Sequence, residues 1–77
     1  MKFKEIASAY GDEDFDLLFD GKGAELVKKM REHGKPSKNN WWRNHIKGGD
    51  PRLERVDEKT YIFIDEYLGI ALLEKID

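Results

Sequence analysis

Hydrophobic positions along this chain fall into short periodic runs, and glycine, proline and charged residues separate them. Phe3, Ile6, Ala7 and Tyr10 recur at spacings of three and four, which predicts one apolar face of a short helix ended by Gly11. Phe15, Leu18 and Phe19 continue the helical spacing behind an Asp12 N-cap, although Phe15, Leu17 and Phe19 also fit an alternating strand. Residues 20–23 form a turn. Ala24, Leu26, Val27 and Met30 then define the clearest amphipathic helix, over residues 24–33. Gly34 stands where a C-terminal cap glycine belongs, and Pro36 follows it. Ser37 is a good N-cap for another helix over residues 38–47, with Trp42 and Ile46 sharing a face and residues 48–51 stopping it.

Beyond Pro51 the texture becomes β-like. Residues 52–56 and 60–64 flank Asp57-Glu58-Lys59, and the second run is rich in β-branched and aromatic side chains. Two such runs joined by three residues predict a hairpin, here without the glycine that usually marks one. Asp65 caps a possible last helix carrying Leu68, Leu72, Leu73 and Ile76. Gly69 weakens that helix, and a third strand over residues 70–76 competes with it. The expected fold class is α+β: a small helical domain of two to three short helices, then a β-hairpin wing, then a C-terminal helix or third strand.

Seventy-seven residues make a single domain, residues 1–77, whose core must draw on most of its large side chains. Little volume is left for a deep cleft and a catalytic shell, so a binding protein is expected and an enzyme is not. The chain has no cysteine, which removes disulfides and thiolate metal sites and favours a reducing, cytoplasmic setting. Residues 1–6 lack the apolar run of a signal peptide, and no stretch is long and apolar enough for a membrane span.

Net charge is −2, unevenly spread. Residues 1–21 hold two lysines against six acids, residues 22–55 ten cations against four acids, and residues 56–77 two cations against six acids. A basic middle between acidic ends makes a directional electrostatic surface.

Several familiar chemistries fail on spacing. Asp12, Asp14 and Asp16 match the start of a calcium loop, but Leu17 and Gly23 stand where its glycine and glutamate belong. Gly21-Lys22-Gly23 precedes a helix without completing a phosphate-loop or dinucleotide fingerprint. His33 and His45 are twelve residues apart and lack the spacing of a helical metal pair. No catalytic group, cofactor or metal site is expected.

What remains is residues 35–47, with four cations, three asparagines and two tryptophans and no acid. Lysine contacts phosphates, asparagine and arginine read base edges, and aromatics stack on bases. Tryptophan and arginine are equally the anchors of protein interfaces. Trp42, backed by Ile46, is expected in the core, which leaves Trp41 partly exposed.

The order of elements over residues 24–64 resembles a winged helix-turn-helix domain. Residues 24–33 look like its positioning helix, residues 37–47 like its recognition helix and residues 50–64 like its wing. The resemblance implies a DNA-binding or regulatory protein in which Lys38, Asn39, Asn40, Arg43, Asn44 and Lys47 face the groove. Arg52 and Arg55 would approach the backbone and Trp41 would join the contact surface. The wing tip Asp57-Glu58-Lys59 and the negative overall charge depart from that pattern. The overall character is also similar to small proteins encoded by phages and mobile elements. That likeness implies an inhibitor of a host or defence protein, acting by occlusion or by DNA mimicry through Asp12, Glu13, Asp14, Asp16 and Asp20.

Overall fold

A computed structural model describes residues 2–46, 52–65 and 67–77. The order of elements is β1 (Phe3–Tyr10), α1 (Asp12–Phe19), α2 (Gly23–His33), β2 (Leu53–Arg55), β3 (Thr60–Ile64) and β4 (Gly69–Lys75). The strands form one antiparallel sheet in the order β1-β4-β3-β2, so the first and last strands lie side by side. The molecule is therefore a small α+β domain with two helices and a four-stranded sheet.

The helix expected over residues 3–10 is strand β1, and its register explains the misleading pattern. Glu5 pairs with Leu73 and Ala7 with Leu72, so Ile6 is the extra residue of a β-bulge. The bulge reverses the alternation in mid-strand. Phe3 and Glu5 face one side of the sheet before it; Ala7 and Ala9 face the other side after it. Apolar residues consequently recur at three and four, as on a helix.

The C-terminal tail is strand β4, not a helix. As a central strand it is covered on both faces, so Ile70, Ala71, Leu72 and Leu73 are all buried and no polar residue alternates among them. Ile70 and Leu72 join Ala7, Phe15, Leu26, Met30 and Ile62 under the helices. Ala71 and Leu73 join Phe3, Trp42 and Phe63 on the opposite face.

Of the other first-half segments, residues 24–33 form the expected helix, and residues 15–19, open between helix and strand by pattern, are helical. In α1 the N-cap is Gly11 rather than Asp12, which becomes the first helical residue; Asp12, Glu13 and Asp14 then suit the positive end of the dipole. The helix closes on a Schellman motif. Lys22 N–H donates to the Leu17 carbonyl at 2.9 Å and Gly21 N–H to that of Leu18 at 3.3 Å, with Gly21 at φ 78°. In α2, Gly34 is the C-cap but lies in extended conformation, so left-handed freedom is not its role. A Cβ there would stand 2.6 Å from the Met30 carbonyl oxygen and 2.7 Å from the Ala7 Cβ. Only glycine lets α2 pass this close to β1.

The expected hairpin runs pair, antiparallel, as β2 and β3, but within the larger sheet. Asp57 does the work of the missing glycine: its Oδ1 accepts the backbone N–H groups of Lys59 at 3.0 Å and Thr60 at 2.9 Å. Thr60 is itself buried, and its hydroxyl accepts a hydrogen bond from Arg31 on α2 at 3.1 Å.

The helix expected over residues 38–47 does not form within its described part, residues 38–46. Asn40 takes φ 47°, and residues 41–45 make a turn in which Arg43 N–H donates to Asn40 and both His45 and Ile46 N–H donate to Trp42. Lys47 and the stop at residues 48–51 lie outside the described residues.

Candidate functional site

The turn segment after α2 is laid across the sheet face that the helices leave open. Its anchor is Glu5, buried at 8% exposure on β1. Ser37 is no helix cap; it donates its backbone N–H to both Glu5 carboxylate oxygens, at 2.7 and 3.0 Å, and its hydroxyl to the same group. Ser8 N–H donates to the Lys35 carbonyl at 2.9 Å. Trp41 Nε1–H donates to Ser8 Oγ at 3.1 Å. Buried carboxylate oxygens need hydrogen-bond donors, and here they come from the segment that Glu5 holds down.

The two tryptophans divide as expected. Trp42 is 3% exposed and packs in the core with Phe3, Phe63, Ala71 and Leu73. Its indole N–H finds no acceptor among the described residues. Trp41 is half-buried, with its ring 5.9 Å from that of Phe63.

Cations gather around this layer. Lys38, Asn39, Arg43 and Asn44 are exposed and Asn40 is half-buried, so five of the expected contact residues sit on one turn rather than along one helix face. The Arg43 guanidinium lies 5.6 Å from the Trp42 ring centre, and that of Arg52 lies 5.3 Å from the Phe63 ring centre. Arg55 pairs with Tyr61, which places it on the same face, with Nε donating to the Asp57 carbonyl at 3.1 Å. A shallow cleft of about 380 Å³ lies between Lys2, Phe3, Trp42, Arg43, Ile46 and Ile76.

Sheet register sorts the remaining charges. Arg55 and Lys75 share the face of Phe3, Tyr61 and Leu73, whereas Glu54 and Glu74 share that of Ile62 and Leu72. Glu58 and Asp77 share a hollow with Arg55, Lys59 and Lys75, whereas Lys35, Lys38 and Arg43 stand on a segment without acids. The Lys2 backbone N–H, aided by nearby cations, holds the Asp77 carboxyl below its usual range. Most of the acids expected on α1, namely Asp12, Glu13, Asp16 and Asp20, are exposed in the helix layer across the sheet.

Sequence spacing missed Lys75 and Tyr10 as members of this face. A reading of β1 and β4 as paired strands would have found both. Among the described residues no group of three or more His, Cys, Asp or Glu side chains converges on a common point. No described helix is long and apolar enough to cross a membrane. Comparison with protein-family models, with curated proteins and with solved structures finds no match to this chain.

Proposed function

We propose that this chain is a small non-catalytic binding protein that engages nucleic acid through its tryptophan-bearing face. The observation that carries this reading is the exposure of Lys35, Lys38 and Arg43 on an acid-free segment that a buried carboxylate clamps to the sheet. The Glu5 carboxylate oxygens accept from Ser37 within the fold, while the three cations stand outside on the segment that it holds. Backbone phosphates are the natural complement of such a surface.

The mode differs from that of the winged helix-turn-helix resemblance. A recognition helix in the major groove requires a helix at residues 38–47, and the described part of that segment is a turn. The contact surface in this reading is a rigid turn on a sheet.

A titration of labelled nucleic acid against salt tests it by anisotropy. Each neutralised phosphate contributes about −0.7 to −0.9 to the slope of log affinity against log salt, so three contacts give a slope near −2 to −3. Absence of binding at low salt, or binding indifferent to salt, overturns the reading. A second reading, an inhibitor that covers a host or defence protein, draws on the exposed acids of α1. It requires instead a protein complex that is lost when Asp12, Glu13, Asp16 and Asp20 are replaced by their amides.

A further inference from the structure

Resting on the nucleic-acid reading, we infer that the ligand of this face is single-stranded and that its bases stack on a platform formed by Tyr10 and Trp41. Tyr10 is the last residue of β1 and pairs with Gly69 of β4. A Cβ on Gly69 would come within 3.3 Å of the Trp41 ring and 3.4 Å of the Asp65 Cβ, so Trp41 and Asp65 share the space above that glycine. Directly paired antiparallel residues project to the same face, with Cβ positions roughly 5 Å apart. Tyr10 therefore projects to the sheet face on which Trp41 lies.

The two rings differ in a useful way. Trp41 is fixed by its N–H bond to Ser8 and by packing on Phe63. Tyr10 is 73% exposed, a large aromatic that the core does not use. The turn between β3 and β4 adds exposed Tyr67 and Leu68 at the same end of the sheet, tied to β1 by the Gly11 N–H bond to the Leu68 carbonyl. Exposed Lys35 is joined to β1 at Ser8, two residues from Tyr10, and half-buried Asp65 borders the same end, so the aromatic end is flanked by one residue of each charge.

Aromatic faces next to lysines are what single strands require, because unpaired bases offer their faces and their phosphates together. A duplex hides those faces inside its own stack. Sequence readers of duplexes insert a helix or a two-stranded ribbon into a groove, and the described part of this segment supplies no such helix.

The test compares a labelled single strand with the duplex of the same sequence, using the full chain, wild type, Tyr10→Ala and Tyr10→Phe. The single strand is expected to bind roughly tenfold or more tightly than the duplex. Tyr10→Ala should weaken single-strand binding by roughly 5- to 100-fold, and Tyr10→Phe, which keeps the ring, should restore it. Circular dichroism checks that the exposed substitution leaves the fold intact. Equal or tighter duplex binding overturns the single-strand inference and leaves the nucleic-acid reading standing. So does single-strand binding that Tyr10→Ala leaves unchanged. Absence of binding to either form removes both.

Discussion

The carboxylate of Glu5 and the backbone N–H of Ser37 meet at 2.7 Å across 32 positions of sequence, and this contact holds the tryptophan segment against the sheet. Removing the carboxylate leaves the Ser37 donors unpaired and opens a buried gap on β1. Glu5→Ala should therefore cost about 1.5–3 kcal/mol in urea unfolding, the range for hydrogen bonds to a charged group. Trp41 fluorescence should shift to the red in the folded baseline as the segment loosens. A variant as stable as wild type, with unchanged emission, would show that Glu5 is not the clasp.

Gly34→Ala tests the close passage of α2 over β1. The added methyl meets the Met30 carbonyl oxygen and the Ala7 Cβ, both too near and neither at the end of a flexible side chain. Overpacking of this kind costs about 1–3 kcal/mol. Denaturant midpoints should fall accordingly; a neutral or stabilising effect contradicts the described contact.

Trp42 combines the core's largest side chain with an indole N–H that has no acceptor among the described residues. Trp42→Ala should cost about 3–5 kcal/mol through lost burial and a cavity. Trp42→Phe keeps much of the ring and removes the unpaired donor, so its cost should stay within about 1.5 kcal/mol. If the two variants proved equally destabilised, the N–H would have a partner of value.

Arg43 is exposed over the Trp42 ring, so its removal should spare the fold and tax only binding. Arg43→Ala should change stability by no more than about 1 kcal/mol. In the anisotropy titration it should lower nucleic-acid affinity and reduce the salt slope by about 0.7 to 0.9. Wild-type affinity in this variant would exclude Arg43 from the interface.

Asp57 supplies an acid-sensitive contact in the β2–β3 turn. The Lys59 N–H, then Thr60, hold its carboxyl below the ordinary value of 3.8. A carboxyl depressed in the folded state stabilises that state above its unfolded pKa. The contribution fades as pH falls through 3.8 towards the folded value. Asp57→Asn should thus flatten the loss of thermal stability between neutral pH and pH near 3. An acid limb of unchanged steepness would place the titrating group elsewhere.

How much was legible beforehand follows the range of the forces. The helix at residues 24–33, the turn at Gly21, the pairing of residues 53–55 with 60–64 and the burial of Trp42 were readable because each rests on local spacing or on one side chain's apolar size. Of the candidate contact residues, Lys38, Asn39, Arg43 and Asn44 were readable as exposed, because nothing apolar competes for their positions.

What the sequence determined by itself is therefore narrower: the α+β class, the amphipathic helix at residues 24–33, the two β-like runs around residues 57–59 and an acid-free cationic stretch bearing two tryptophans. Tertiary structure alone decided how these pieces are joined. Residues 3–10 became a strand because β4, some sixty residues away, offered a hydrogen-bonding edge, and the bulge at Ile6 disguised the alternation. Residues 38–46 became a turn as both indoles were drawn onto the open face of the sheet and Ser37 was spent on Glu5. Register, which no local window contains, further sends Arg55 and Lys75 to the face that carries this segment and Glu54 and Glu74 to the other.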